Sequence, residues 1–133
     1  MLIRELGSDL PPVTCDFKQI QQALMNMIIN GVEAMPQGGT LTIASRFLSK
    51  EKMIEVEIRD TGIGIPREHL DNLFEPFFST KAEGKGVGLG LSVSYGIINN
   101  HHGRIKVDST PGQGTTFRVH LPVKAEKPPK EKV

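Results

Sequence analysis

The longest periodic segment of the chain covers residues 16–35 and repeats apolar residues at helical spacing. A helix with one apolar side must pack against another layer, so this segment cannot be the whole fold. Asp16 has a side chain suited to capping a helix N-terminus, and Pro36 followed by Gln-Gly-Gly ends the segment. The apolar stripe consists of Phe17, Ile20, Leu24, Met27 and Ile28.

Two pairs of segments with strand periodicity lie after this helix. "TLTIASRFL" and "MIEVEIRD" flank a charged turn and predict an antiparallel hairpin over 40–60. "RIKVDS" and "GTTFRVHLP" predict two more strands over 104–122, and residues 89–103 predict a helix before them that Gly103 can end. A short strand is predicted at 2–6. The order predicts an α+β fold, a two-layer α/β sandwich with a mixed, mostly antiparallel sheet and helices on one face.

Length and composition predict one domain. The 133 residues with 38% hydrophobic content suffice for a single core, which we assign to residues 1–123, and the polar last ten residues, 124–133, predict a disordered tail. A formal charge of +1 gives no general field for nucleic acid. A lone cysteine, Cys15, fits a reducing compartment, and no apolar run is long enough to span a membrane. We therefore expect a cytoplasmic domain without direct membrane contact, in a parent protein that can itself be membrane-anchored.

The stretch "GKGVGLGLS" places four glycines in seven residues before the second helical segment. Glycines allow close approach of a ligand, and a helix N-terminus has unpaired N–H groups that suit phosphate. The spacing fits neither the Walker P-loop nor the dinucleotide fingerprint. Taken alone, a flexible connector explains this stretch about as well as a ligand site does.

Three neighbouring patterns favour a nucleotide site. In "DTGIG", Asp60 can accept a hydrogen bond from an exocyclic amine while the glycines admit a flat ring, although a capped turn explains the pattern too. Asn26 and Asn30 lie one helical turn apart among apolar residues, and an amide oxygen suits magnesium; a purely structural role is the alternative. In "FEPFFSTK", the phenylalanines can anchor a loop, and Lys81 is a candidate phosphate contact on a lid.

These residues resemble the catalytic ATP-binding domain of sensor histidine kinases, within the GHKL ATPase superfamily, whose ATP-binding fold is the Bergerat type. The resemblance covers residues 16–122 and includes five motifs in family order. They are the N box in "DFKQIQQALMNMIINGVEAM", the G1 box in "DTGIG", the F box in "FEPFFSTK", the G2 box in "GVGLGL" and the last glycine box in "GQGTTF".

The resemblance implies ATP and Mg2+ as cofactors and gives each matching residue a role. Asp60 is expected to bind the adenine amino group, Asn30 to coordinate magnesium, and Asn26 to lie beside the phosphates. Asn26, Asn30 and Lys81 form the expected catalytic set. The expected nucleotide-binding set is Asp60, Gly62, Gly64, Lys85, Gly86, Val87, Gly88, Leu89, Gly90 and Thr116. Lys81 and Lys85 remain alternative phosphate contacts.

The implied function is transfer of the ATP γ-phosphate to a histidine on a separate dimerisation segment, with a response regulator downstream. The hydrolysing relatives carry glutamate where this chain has Asn26, which cannot act as a general base. None of the four histidines is assigned as the phosphoacceptor, and the fragment is expected to be a monomer. The alternatives are an ATP-sensing regulatory module without phosphotransfer, a GHKL ATPase, or a serine kinase of the anti-sigma type.

Overall fold

The computed structural model describes residues 1–8, 10–75 and 90–123, and their backbone forms one five-stranded sheet. The sheet order is β1-β2-β3-β5-β4; β1 pairs with β2 in parallel, and the other neighbours are antiparallel. The predicted mixed, mostly antiparallel sheet is therefore confirmed. The strands are β1 (Leu2–Glu5), β2 (Leu41–Leu48), β3 (Met53–Asp60), β4 (Arg104–Thr110) and β5 (Gly114–Pro122).

Helices pack on one face of this sheet. They are α1 (Phe17–Glu33), α2 (Arg67–Leu70) and α3 (Gly90–Asn100). The core forms where α1 and α3 meet the inward side chains of β3 and β5, and it includes Met27, Ile98, Ile58 and Phe117, each at most 2% exposed. A hydrogen bond of 2.8 Å from the Ser94 hydroxyl to the carbonyl oxygen of Ala23 joins α1 and α3. The sheet with helices on one face is the predicted two-layer sandwich.

The helix ends follow the capping rules with one exception. Asp16 caps α1, because its Oδ1 accepts a hydrogen bond from the backbone N–H of Gln19 at 3.1 Å. After α3, His102 has a φ of +64°, the left-handed conformation that glycine usually supplies at a helix end. Gly103 donates its N–H to the carbonyl of Ile98 at 2.9 Å. The predicted glycine stop is therefore displaced by one residue onto a histidine.

Some expectations fall outside the described residues. These are the predicted tail at 124–133 and most of the predicted loop and lid between 75 and 89. In the described ranges, no helix has the length and apolar content that would let it cross a membrane.

Candidate functional site

Asp60 is the last residue of β3, and its side chain points into the helix-covered face with 4% exposure. Its Oδ1 accepts two backbone hydrogen bonds, from Gly62 at 2.8 Å and from Thr115 at 3.3 Å. Among the described residues, no donor reaches its Oδ2 and no cation pairs with the carboxylate. Burial raises the pKa of the Asp60 carboxyl above its ordinary value, against the lowering effect of these two backbone hydrogen bonds. Oδ2 is left to accept a hydrogen bond from a ligand in the cavity that Asp60 lines.

Glycines let three backbone segments come close around this carboxylate. A Cβ on Gly62 would lie 2.4 Å from the carbonyl oxygen of Ala34 at the end of α1. Gly64 has a φ of +77°, and a Cβ there would lie 2.3 Å from the carbonyl oxygen of Thr110. On α1, a Cβ on Gly31 would lie 3.5 Å from Asp60 Oδ2. The predicted pair Gly62 and Gly64 therefore has a steric reason to be glycine, and Gly31 keeps the space beside Oδ2 open.

The strand register gives Asp60 a different direct neighbour from the predicted Thr116. Asp60 pairs with Thr115 across β3 and β5, whereas Thr116 pairs with Arg59. Because side chains alternate along a strand, Thr115 shares the inward face with Asp60. Thr115 is 4% exposed, and its hydroxyl lies 2.7 Å from that of Ser109. Thr116 lines the same cavity as Asp60 and Thr115, and its role at the adenine stays a prediction.

Asn26 and Asn30 are both half-buried on α1 but differ in their partners. Asn26 Nδ2 donates to the carbonyl oxygen of Gly90 at 3.1 Å, and its Oδ1 accepts from Gln22 Nε2 at 3.3 Å. Asn26 therefore ties α1 to the first residue of α3, the last glycine of the predicted G2 box. Within the described ranges, the Asn30 side chain makes no hydrogen bond, so its amide oxygen is available.

Several predicted site residues lie outside the described residues. They are Lys81, Lys85, Gly86, Val87, Gly88 and Leu89. Their roles at the phosphates stay predictions. Of the G2 box, the structure describes Gly90 and Leu91, and a Cβ on Gly90 would lie 3.8 Å from the Asn26 side chain, an ordinary contact distance.

Sequence reasoning missed three residues of the site. Thr115 was recoverable, because residues two apart on a strand share a face and the large apolar Phe117 lies two residues further along the predicted strand. Gly31 lies inside a helix, where a glycine is costly and has a reason. Gly114 carries a φ of +129°, and a Cβ on it would lie 2.1 Å from the carbonyl oxygen of Asp60, a contact visible only once the strands are paired.

The sequence model of one family matches residues 15–125, and its description is "Histidine kinase-, DNA gyrase B-, and HSP90-like ATPase". The chain belongs to this family. Since ATP is the nucleotide of the family, this is an ATP-binding domain, and the arrangement around Asp60 brings together residues of the N box, the G1 box and the last glycine box.

Among curated proteins, the domain is similar to sensor kinases. It is 43% identical over 129 residues to the sensor kinase CckA of Brucella abortus, covering 87% of this chain and 14% of that protein. It is 40% identical over 120 residues to sporulation kinase E of Bacillus subtilis, covering 90% and 16%. The adaptive-response sensory kinase SasA of Gloeothece citriformis is 43% identical over 122 residues, covering 90% and 31%. The chain thus spans less than a third of the length of these relatives.

Solved structures give the same result. The nucleotide-free catalytic domain of histidine kinase ThkA matches with a TM-score of 0.78 and 31% identity, covering 91% of this chain and 77% of that one. Full-length ShkA in complex with AMPPNP matches with a TM-score of 0.79 and 25% identity, covering 91% of this chain and 25% of that one. The domain is therefore similar to histidine kinase catalytic domains in both sequence and fold.

Proposed function

We propose that this domain lies in the cytoplasm, binds Mg-ATP and transfers its γ-phosphoryl group to a histidine on a separate dimerisation segment of a sensor kinase. In this reaction, the bond between the γ-phosphorus and its bridging oxygen breaks, a phosphorus–nitrogen bond forms at the imidazole, and ADP leaves with the electron pair. A response regulator is the proposed acceptor downstream. The sensor kinase relatives support the assignment.

One observation carries the nucleotide part of the proposal: Asp60 lines a cavity, and its Oδ2 accepts no hydrogen bond from a described residue. Because the residue as a whole is only 4% exposed, a ligand donor at Oδ2 forms a hydrogen bond with little competition from water. The exocyclic amine of adenine is such a donor, and its flat ring fits beside backbone that Gly62 and Gly64 hold close. We infer that Asp60 selects adenine over rings without an amine at that position.

Asn30 is the proposed protein ligand of the magnesium ion. Its amide oxygen is a hard donor of the kind magnesium prefers, and it makes no other hydrogen bond to a described residue. The described ranges contain no group of three or more acidic, histidine or cysteine side chains that could hold a metal by themselves. This composition fits an ion most of whose ligands are ATP oxygens and water molecules. When bound, magnesium would neutralise charge on the phosphates.

Asn26 supports transfer to a protein over hydrolysis. An amide cannot take a proton from water, and in this structure both of its polar atoms are engaged, with Gly90 and Gln22. Positioning of the phosphoryl group relative to the acceptor is then the main contribution of the domain.

The proposal is tested with the parent kinase that contains this chain. Incubation with ATP labelled at the γ-phosphate should give acid-labile, base-stable protein phosphate, the signature of phosphohistidine. The Asp60→Asn variant should lose this signal, while the Asp71→Asn variant, the same change at an exposed position outside the cavity that Asp60 lines, should keep it. Nucleotide binding without protein phosphate would contradict phosphotransfer and favour the regulatory module, and rapid release of free phosphate would favour an ATPase.

Asn30→Ala gives a separate test of the metal role. We expect ADP affinity measured with magnesium to fall about tenfold, or about 1.4 kcal/mol, and affinity measured with EDTA to stay within twofold. Isothermal titration calorimetry under both conditions measures the difference. An equal loss with and without magnesium would contradict the assignment of Asn30 as a metal ligand.

A further inference from the structure

The sheet face opposite α1 and α3 is densely charged, and we call it the outer face. Register and strand alternation place on it five cationic and three acidic side chains from β2 to β5, together with His120. Glu5 of β1 lies at one edge of it. The cations are Arg46, Arg59, Arg104, Lys106 and Arg118, and the acids are Glu55, Glu57 and Asp108.

On β2 and β3, the two signs of charge lie at different depths. Glu55 and Glu57 are 7% and 4% exposed although no helix of the described ranges covers this face. They are covered by the arginines that pair with them: Arg46 contacts both glutamates, and Arg59 Nη1 lies 2.7 Å from Glu57 Oε2. The side chains of Arg46 and Arg59 both remain 47% exposed. A partner approaching these two strands therefore meets guanidinium groups before it meets carboxylates, whereas on β4 the side chain of Asp108 is itself 76% exposed.

The guanidinium groups also keep donors for a partner. Arg46 and Arg59 hydrogen-bond through Nη1, and Arg118 uses Nη1 for Asp108 at 2.5 Å. In the part of the chain that the structure describes, Nη2 of all three makes no hydrogen bond. The buried glutamates hold the guanidinium groups in place, so less side-chain entropy is lost when their remaining N–H donors bind an anion.

A polar cavity of about 250 Å³ lies at the end of β3, where the outer face meets the nucleotide site. Its lining includes Arg59 and Thr116 from the outer face, together with Asp60 and Thr115 from the nucleotide site. Because the carboxylates of Asp60 and Asp108 both line this cavity, it does not suit an acidic side chain. A site for an acidic partner on the outer face therefore lies on the strands outside this cavity.

We propose that the outer face is a docking surface for a carboxylate-rich segment of a partner protein. Charge complementarity selects this occupant, because the exposed groups are mainly cationic while Glu55 and Glu57 are buried and already paired. Nucleic acid is disfavoured, since the whole chain has a formal charge of only +1 and the outer face of β2 to β5 has no Phe, Tyr or Trp. Apart from Arg59 and Thr116, which line the cavity shared with Asp60, the surface lies on the other side of the sheet from the nucleotide site.

The test uses a fluorescent peptide of alternating glutamate and serine, with a lysine–serine peptide and a single-stranded DNA of equal length as the other probes. At low ionic strength and with saturating ADP present, the acidic peptide should bind, and added salt should weaken it. Amide chemical shifts should move at Arg59, Thr116 and Arg118 and stay constant on α1. Saturating ADP excludes binding of the peptide at the phosphate site.

Charge reversal at matched positions distinguishes binding at the outer face from general electrostatic attraction to the domain. Lys106→Glu lies beside Arg118 on the outer face, whereas Lys18→Glu makes the same change on α1 in the other layer. We expect Lys106→Glu to weaken peptide binding about fivefold and Lys18→Glu to change it less than twofold. Arg59→Lys keeps the positive charge beside Glu57 but removes the planar guanidinium group. It should therefore weaken binding of the acidic peptide while the melting temperature stays close to that of the wild type.

Four results would overturn the proposal. These are absence of saturable binding of the acidic peptide, equal weakening by Lys18→Glu and Lys106→Glu, amide shifts confined to the helical layer, and tighter binding of the DNA than of the peptide. The last result would assign the surface to a phosphate polyanion.

Discussion

Strand β3 carries buried carboxylates on both of its faces, and the carboxylates on the two faces differ in their hydrogen-bond and charge partners. Glu55, on the outer face, is 7% exposed, contacts Arg46, and its Oε2 lies 3.0 Å from His120 Nε2. Asp60, on the helix-covered face, is 4% exposed and receives only backbone N–H groups from the described residues. The same strand thus pairs one acid with cations and leaves the other unpaired.

The pKa values of the two acids move in opposite directions for this reason. Burial acts to raise both. At Glu55, hydrogen bonds and charge from His120 and Arg46 outweigh burial and bring the pKa below its ordinary value. At Asp60, the two backbone hydrogen bonds do not outweigh burial, and the pKa stays raised. A compensated acid stabilises the fold, whereas an uncompensated buried acid is tolerated where a ligand donor completes it.

The largest effect is expected from Asp60→Asn. The amide can still accept from the backbone at Gly62, but its NH2 group then faces the adenine amine, donor against donor. We expect ADP affinity to fall about 100-fold, or about 2.7 kcal/mol, while the empty domain unfolds at the same or a higher denaturant concentration. Calorimetric titration and urea unfolding measure the two quantities. A variant that loses stability but keeps its ADP affinity would make Asp60 an ordinary structural acid.

Glu55→Gln should show the opposite pattern. The change removes the charge that compensates Arg46 and should lower the free energy of unfolding by about 1–2 kcal/mol, less than a fully buried pair because Arg46 is half-exposed. ADP affinity should stay within twofold. Glu51→Gln, in the exposed turn before β3, is the matched control and should change neither quantity. Loss of ADP affinity in Glu55→Gln would show that the two faces are not separate.

The two threonines that follow Gly114 test, at neighbouring positions of one strand, whether the two faces of the sheet have separate effects on ADP binding. Thr115→Val removes a hydroxyl that lies 2.7 Å from that of Ser109 beside Asp60, and we expect ADP to bind about threefold more weakly. Thr116→Val changes the outer face and should weaken ADP binding less than Thr115→Val does. Titration of both variants under one set of conditions is sufficient. The reverse order of effects would support the predicted role of Thr116 at the adenine instead.

The pH dependence of stability should be the smallest effect. The lowered pKa of Glu55 means that its stabilisation is complete above the ordinary glutamate value and is lost as pH falls through that range. The raised pKa of Asp60 means that its carboxyl favours folding when protonated, and this benefit is lost as pH rises through the folded value. Urea unfolding is measured at neutral pH and at about pH 4. For both Glu55→Gln and Asp60→Asn, we expect the free energy of unfolding to differ less from that of the wild type in acid. Differences that grow in acid would contradict both assignments.

Much of this organisation follows from local patterns in the sequence. The cap at Asp16, the β2–β3 hairpin and the position of Asp60 at a strand end all depend on residues near in the chain. The placement of Thr115 and Gly114 depends on how β5 aligns with β3, a pairing between residues about 55 positions apart. The covered glutamates of the outer face were not predicted either, since charged residues on an open sheet face are normally solvated. The parallel pairing of β1 with β2 likewise has no local signal.

The account rests most directly on the recognition of the adenine amine by Asp60. Calorimetric titration of the wild-type domain with ADP and with IDP, whose base lacks that amine, tests it without any mutation. We expect saturable ADP binding and IDP binding that is about 10-fold to 100-fold weaker, and we expect this preference to disappear in Asp60→Asn. Equal affinities of the wild type for ADP and IDP, or no saturable binding of ADP, would contradict the account.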